Sequence, residues 1–513
     1  MSQGTKQEFG KWRAFFWPVY GFELKKLLPM FLMFFFISFN YTILRDTKDT
    51  LIVTAAGAEA IPFLKSFGVV PAAIIFMLIY AKLSNMLSRE TLFYVTLFPF
   101  VVFFGLFAFV FYPVRESLMP TASAQALLAY LPGGWSGLAA AYENWMYSVF
   151  YILAELWGSV VLSLLFWGFA NQITRVTEAK RFYSLFGLGA NLALLVSGPA
   201  IVYVSDIRRH LPADVDAWQV SLNYLMAMVV VAGLAVMAIY WWINRNILTD
   251  PVFYDANEVK SPKKKKTKMS MSDSFKFLFT SKYILCLAVL VIAYGISINL
   301  VEVTWKSQVK LQYPNPNDYS TFMGKFSFWT GAATIFMMLF VGGNVIRRKG
   351  WGFAALITPV VLLITGIGFF SFVIFRDNLQ GMIAAIGSTP LFLAVIFGAA
   401  QNIMSKSSKY SLFDPTKEMA YIPLDEESKV KGKAAVDVVG ARLGKSGGSI
   451  IQMAFLTMGT LATITPYIGL TLLFVIAAWI VAARSLNKQF LQLTTEPRSD
   501  DGAGVDNKVT ASV

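Results

Sequence analysis

The sequence has almost none of the side chains that zinc enzymes and histidine-dependent hydrolases use. Its 513 residues include one histidine, His210, and one cysteine, Cys286. A single cysteine excludes an intrachain disulfide. One histidine and one cysteine cannot supply the ligands of a zinc site. A hydrolase with a histidine base is also not expected, because the single histidine lies beside Arg208 and Arg209 in a polar segment. We therefore expect no catalytic residues, no metal and no cofactor.

Charged residues are also scarce. They make up 14% of the chain, whereas 56% of the residues are hydrophobic and the mean hydropathy is +0.57. A soluble protein of this length needs more charge to cover its surface. Continuous apolar runs such as 92–111 and 470–483 are long enough to cross a hydrocarbon core of about 30 Å as helices, and they lack the alternation of an outer-membrane barrel strand. The sequence therefore predicts an all-α integral membrane protein.

The apolar runs predict about twelve transmembrane helices. They lie near residues 27–44, 62–82, 91–112, 145–170, 182–204, 222–243, 283–304, 321–345, 352–375, 385–404, 434–460 and 466–483. With the N-terminus in the cytoplasm, 32 of the 44 Lys and Arg residues fall in cytoplasmic segments. This bias follows the positive-inside rule, places both termini in the cytoplasm and accounts for most of the +14 net charge.

The chain divides into two halves of six spans. We predict a cytoplasmic N-terminal segment (1–26), two six-helix bundles (27–245 and 282–485), a basic linker (246–281) and a polar, disordered tail (486–513). The lysine run at 260–268 has no aromatic platform beside it, so we interpret it as a solvated linker rather than a nucleic-acid site. Residues 27–49 align with 284–306 without a gap, and Gly189 aligns with Gly440 at a similar offset of 251 residues. The halves therefore look like a duplicated, pseudo-symmetric unit with a substrate site between them.

Ionisable residues inside spans are the strongest indication of function, because each costs at least about 2.5–3.5 kcal/mol to insert and therefore usually faces a cavity or a partner. They occur with other polar residues at helical spacing: Tyr41, Arg45 and Lys48; Tyr147, Tyr151 and Glu155; Gly295, Asn299, Glu302 and Lys306; Arg442, Lys445 and Ser449, with Asn191 matching Arg442 in the other half. Cations on corresponding helices of both halves favour a polyanionic substrate that supplies counter-charge to a cationic cavity.

Each of these groups also has a purely structural interpretation. Glu302 and Lys306 have the spacing of a simple i, i+4 ion pair. Arg45 and Lys48 resemble membrane-edge anchors neutralised by the neighbouring aspartates. The tyrosines are spaced for helix packing, and Asn191 for a hydrogen bond between helices.

One segment resembles a phosphate-binding loop but does not fit that motif. In GARLGKS (440–446) three residues separate the first glycine from the Gly-Lys pair, and no strand precedes it. Backbone N–H groups wrap phosphate only in a strand–loop–helix context with four intervening residues. An ATPase is therefore not expected.

Several of the same segments resemble the ATP/ADP translocase family of chlamydiae, rickettsiae and plastids. The most specific are SLFDPTKEMAYIPL (411–424) and GARLGKSGG (440–448), and the resemblance extends over the chain apart from the linker and tail. It implies a major-facilitator-like fold and maps four charged positions important for transport in the family onto Lys48, Glu155, Glu302 and Lys445.

The resemblance implies a nucleotide antiporter, not an enzyme, in a bacterial inner membrane. Its expected substrates are host ATP and bacterial ADP, with phosphate leaving alongside ADP; its other partner is membrane lipid, and we expect a monomer. Lys48, Arg442, Lys445 and Lys306 are candidates for holding phosphates. Glu155, Glu302, Tyr147, Tyr151 and Asn191 complete the predicted site. The alternatives within the family are a proton-coupled nucleotide importer and an NAD/ADP exchanger.

Overall fold

The described part of the chain consists mainly of long helices. The computed structural model describes residues 19–251, 253–254, 281–425, 428–429, 432–433 and 435–495. Most of the predicted N-terminal segment, basic linker and tail lies outside the described residues. Within the described part there is no β-strand, in agreement with the predicted all-α class.

We number the twelve principal helices in chain order. The N-terminal half contains α1 (Leu24–Ala55), α2 (Ala60–Met86), α3 (Arg89–Leu118), α4 (Trp145–Ile173), α5 (Val176–Asp206) and α6 (Ala217–Asn246). The C-terminal half contains α7 (Lys282–Gln312), α8 (Pro316–Phe336, extended by a π-helical turn at Met337–Gly342), α9 (Gly343–Ile374), α10 (Pro390–Ser408, continued by a π-helical turn at Lys409–Phe413 and by Asp414–Ala420), α11 (Ala441–Leu456, preceded by a π-helical turn at Ala435–Gly440) and α12 (Leu461–Thr495).

Within the described residues, nine helical segments are long and apolar enough to cross a membrane. One of them, Pro316–Ile374, contains both α8 and α9, and the helical path is broken within α9 at Gly350, where φ is 81°. This backbone conformation is open to glycine but strained for other residues. Neither α10 nor α11 is among the nine segments. The count of twelve spans and the proposed domain boundaries therefore stay predictions.

Several helices extend well past the predicted spans. The span predicted to end at residue 44 continues as α1 to Ala55, and the span predicted to end at 304 continues as α7 to Gln312. Likewise, α10 continues from residue 404 to Ala420. Charged residues such as Lys48 and Lys306, which the tally of basic residues assigned to loops, thus lie within helices.

The most extensive contact between the two halves joins α5 and α8. Small residues allow it: a Cβ on Gly198 would lie 2.6 Å from the carbonyl oxygen of Gly324, and a Cβ on Gly331 would lie 2.9 Å from that of Asn191. Because lipid is as apolar as the helix surfaces, close backbone approach of this kind is a main source of helix association in membranes.

The halves also meet at one end of the molecule, which we call the closed end. It comprises the last turn of α5, the 207–216 connection and the start of α8. Ser205 Oγ lies 2.9 Å from Ser320 Oγ, and Arg208 forms an ion pair of 2.6 Å with Asp318. Asn317 donates hydrogen bonds to the Ser205 carbonyl oxygen and to Ser221 Oγ. These contacts join the N-terminal half to the C-terminal half.

Candidate functional site

The second half of α1 carries a cluster of charges in the interior of the protein. Asp46, Lys48 and Asp49 are buried, and Arg45 is mostly buried. An α-helix continuing to Ala55 brings Arg45 and Lys48 to nearly the same face, as residues three apart are neighbours on a helix. Ionised groups at this depth require partners, and the structure shows where those partners lie.

Six side chains from four helices form an alternating series of charges, which we call the ionic chain. In order, it consists of Glu155 on α4, Lys48 and Asp49 on α1, Lys306 and Glu302 on α7, and Lys65 on α2. The successive distances between nitrogen and oxygen atoms are 3.0, 2.8, 2.8, 3.0 and 3.6 Å. Three lysines and three carboxylates leave the ionic chain with no net charge.

The ionic chain crosses between the halves twice. Asp49 Oδ2 of the N-terminal half lies 2.8 Å from Lys306 Nζ of the C-terminal half, and Lys65 Nζ contacts Glu302 across the same boundary. Lys65 also donates a hydrogen bond of 2.7 Å to Asn299 Oδ1. The pairs therefore hold α1 and α2 against α7.

Exposure differs along the ionic chain. The central side chains of Lys48, Asp49 and Lys306 are at most 4% exposed, whereas Glu155 is 32% exposed. Glu302 and Lys65 are about one fifth exposed. The two ends of the ionic chain are thus more exposed than its centre.

A second polar group lies beside the ionic chain. Arg45 Nε lies 2.9 Å from Asp46 Oδ1, and Arg45 Nη2 donates a hydrogen bond of 2.7 Å to Ser327 Oγ on α8. Ser327 in turn donates to Asp46 Oδ2. Arg45 and Lys48 therefore have the aspartate neighbours suggested by the structural interpretation, but they lie in the interior and not at a membrane edge.

The aromatic residues predicted for the site separate into two groups. Lys48 Nζ lies 4.0 Å from the centre of the Tyr151 ring, a cation–π contact. Tyr147 is buried against Tyr112, with ring centres 6.0 Å apart, and also contacts Phe107. Tyr151 therefore borders the ionic chain, whereas Tyr147 packs within the N-terminal half.

Three other predicted residues lie outside the ionic chain. Asn191 donates a hydrogen bond to the Gly187 carbonyl oxygen and lies at the α5–α8 contact. Arg442 and Lys445 on α11 are exposed. Arg442 Nη2 lies 4.0 Å from Met77 Sδ on α2, and within the described residues neither cation has a carboxylate at ion-pair distance.

The prediction of cations without counter-charge is wrong for Lys48 and Lys306. Each of these lysines contacts two carboxylates. From the sequence, Asp49 is expected only as a local neutraliser of Lys48, and Lys65 and Lys406 are not among the predicted site residues. Lys65 lies inside a predicted span, so the rule that ionisable residues within spans are functional would have identified it.

The arrangement of helices resembles that of solved transporters. The fold matches solved secondary transporters of the major facilitator type: a bacterial homologue of the iron transporter ferroportin in an inward-facing state (TM-score 0.54, 12% identity, 93% of this chain and 100% of that one) and a D-xylose–proton symporter (TM-score 0.52, 12% identity, 90% and 97%). At this identity the likeness concerns the fold alone.

Sequence comparison identifies the family. The model of the TLC ATP/ADP transporter family matches residues 2–490, and the chain belongs to that family. It is 61% identical over 494 residues to ADP,ATP carrier protein 1 of Chlamydia trachomatis serovar D, covering 96% of this chain and 93% of the relative. It is 57% identical over 477 residues to the plastidic ATP/ADP-transporter of Solanum tuberosum, covering 92% and 74%. The protein is thus a membrane transporter and not an enzyme.

Proposed function

We propose that this protein is an antiporter that exchanges ATP for ADP by alternating access, with phosphate leaving alongside ADP. The relatives named as ADP,ATP carriers support this proposal. The observation that carries the mechanism is the ionic chain, which is neutral, crosses between the halves and is exposed at both ends.

The ionic chain explains why transport would be exchange. Without substrate, the Asp49–Lys306 and Lys65–Glu302 pairs hold the two halves together. Nucleotide phosphates compete with Glu155 and Glu302 for the lysine ammonium groups, because phosphate is a strong acceptor for such donors. Substrate binding thereby replaces cross-half ion pairs and frees the halves to move. Once the substrate leaves, the pairs form again, so the empty carrier does not return.

We place both termini in the cytoplasm on the basis of the distribution of Lys and Arg. We also propose that the protein acts as a monomer in a bacterial inner membrane, as expected from the chlamydial carriers that it resembles. Bare exchange moves about one negative charge per cycle, equivalent to about 2.3 kcal/mol per 100 mV. Phosphate leaving with ADP would offset that charge movement.

Counterflow in liposomes tests the proposed function. We expect uptake of labelled ATP into liposomes preloaded with ADP to exceed uptake into empty liposomes several-fold, because only loaded liposomes allow the carrier to return. The same liposomes with an imposed pH gradient and no internal nucleotide test the proton-coupled alternative, and liposomes loaded with NAD test the NAD/ADP alternative. Equal uptake into loaded and empty liposomes contradicts exchange.

Lys445 provides a test of the predicted phosphate-binding residues on α11. We expect Lys445→Gln to lower exchange roughly tenfold, the effect of losing one hydrogen bond to a charged group. Because the side chain is exposed, the free energy of unfolding of the purified protein, measured by thermal unfolding, should change by no more than about 0.5 kcal/mol. Lys488→Gln, which removes another exposed lysine on α12, is the matched control. An undiminished exchange rate removes Lys445 from the site.

A further inference from the structure

Lys406 on α10 differs from the other interior cations. Within the described residues no carboxylate lies at ion-pair distance from its ammonium group, although the side chain is only partly exposed. Its Nζ lies 5.0 Å from the centre of the Phe326 ring on α8. Arg45 on α1 donates a hydrogen bond to Ser327, the residue that follows Phe326, so Lys406 and Arg45 contact adjacent positions of α8. A lysine beside an arginine in the protein interior is unfavourable unless an anion joins them.

In the alignment of the two halves, Lys406 corresponds to a residue of opposite charge. The offset of 251 residues that aligns Gly189 with Gly440 also aligns Glu155 on α4 with Lys406 on α10. Three residues further along, a π-helical turn begins in each helix, at Gly158 and at Lys409. Equivalent positions of the two halves thus carry opposite charges. Glu155 is paired with Lys48, whereas Lys406 has no such partner among the described residues.

The positive charge of Lys406 is not compensated by the neighbouring charged groups described above. The ionic chain is neutral, and Arg45 is neutralised by Asp46. Arg45 uses Nε for Asp46 and Nη2 for Ser327, so these two contacts fix the guanidinium plane. No hydrogen bond from Nη1 to the described residues is observed, so this nitrogen remains available as a donor.

We propose that Lys406 and Arg45 form a subsite for a phosphate group, with Ser327 positioning the guanidinium. The proposal rests on the proposed function, since it specifies where the transported anion is held. A planar guanidinium and a compact ammonium on either side of one phosphate combine directional hydrogen bonds with a point charge. The group bound is either the terminal phosphate, which ATP has and ADP lacks, or a free phosphate accompanying ADP. The subsite would therefore distinguish the two directions of exchange.

Binding measurements on the purified, full-length protein test this subsite. The probes are ATP, ADP, and ADP with inorganic phosphate, and the variants are Lys406→Gln, Lys406→Arg and Lys409→Gln. Lys409 is the matched control, because it lies three residues away on the same helix and is already paired with Asp414 at 2.7 Å. Removing a hydrogen bond to a charged group should weaken binding roughly 10- to 100-fold. Lys406→Arg should retain most of the affinity.

Two outcomes support the subsite and identify its ligand. If it holds the terminal phosphate, Lys406→Gln weakens ATP binding and leaves ADP binding unchanged. If it holds free phosphate, inorganic phosphate tightens ADP binding in the wild type but not in Lys406→Gln. The subsite is wrong if Lys406→Gln binds all three probes as the wild type does, or weakens ATP and ADP equally without any effect of phosphate.

A second measurement, chemical labelling of Lys406, uses the wild-type protein and therefore does not depend on whether a variant folds. In the wild-type protein, ATP or ADP with phosphate should reduce modification of Lys406 by an amine-reactive reagent, as quantified by peptide mass spectrometry. Modification of Lys409 should not change. Unchanged Lys406 reactivity at saturating ligand contradicts the subsite. A wild type that binds nucleotide but fails in the counterflow assay contradicts the proposed function instead, so the two failures are distinguishable.

Discussion

A disulfide between positions 205 and 320 is expected to stop exchange completely, and its reduction is expected to restore exchange. Ser205 Oγ and Ser320 Oγ lie 2.9 Å apart at the closed end, on α5 and α8. Cysteine sulfur atoms at these positions need only a small movement to reach the S–S distance of about 2.0 Å. Alternating access requires the closed end to separate, and the cross-link prevents it. ATP uptake into ADP-loaded liposomes should fall to the level of empty liposomes after oxidation.

The control is a cross-link within one half. Thr334 Oγ1 on α8 lies 3.2 Å from Ser407 Oγ on α10, so the pair Thr334→Cys/Ser407→Cys should also form a disulfide but leave exchange largely intact. Both pairs are made with Cys286 replaced by serine, which removes the native thiol. Full cross-linking of positions 205 and 320 with undiminished exchange would show that the closed end does not open during transport.

The existence of the long helices could be predicted from the sequence, but their ends could not. Apolar runs identify segments that must avoid water. A hydropathy pattern ends a span at its first group of charges, and in α1 that group begins at Arg45, ten residues before the helix ends at Ala55. In α7, the residues after Thr304 include Lys306, which is buried by contacts with Asp49 and Glu302. The central residues of the ionic chain, Lys48, Asp49 and Lys306, therefore lie outside the predicted spans.

The identities of the partners could not be predicted either. Spacing places Lys48, Glu155, Glu302 and Lys306 on particular helices, and the structure brings these four together with Asp49 and Lys65. Their order in the ionic chain depends on how α1, α2, α4 and α7 pack, which is a tertiary property. Tyr147 and Tyr151 share a helical stripe, yet only Tyr151 contacts Lys48, because Tyr147 packs against Tyr112.

Because the interior lysines are paired with carboxylates, substrate binding has to be considered as an exchange of ion-pair partners. A cavity lined by unpaired cations would bind nucleotide tightly. The unpaired charges would destabilise the empty protein, and the bound nucleotide would dissociate slowly. Under the proposed mechanism, a phosphate group would replace a carboxylate partner of a lysine in the ionic chain. This exchange of partners would keep binding moderate, and the free energy of the substrate interactions would be used to separate the halves.

The centre of the ionic chain should be the most sensitive position for stability. Asp49 is buried and shared by Lys48 and Lys306. We expect Asp49→Asn to lower the free energy of unfolding by about 3 kcal/mol, the lower end of the range for breaking a buried ion pair, because each lysine keeps a second carboxylate. Thermal unfolding of the purified variant measures the loss, and Asp414→Asn, which removes a more exposed partner of Lys409, should cost about 1 kcal/mol or less.

A double variant separates the loss of a charge partner from general damage to the fold. In Asp49→Asn/Lys306→Gln the remaining charges again sum to zero, with Lys48 paired to Glu155 and Lys65 to Glu302. Removing both members of a buried pair costs less than removing one, because no ammonium group is left in excess in the interior. The double variant should therefore be more stable than Asp49→Asn alone. If it is less stable by the sum of the two single losses, Asp49 and Lys306 act independently, and the ionic chain does not hold the two halves together.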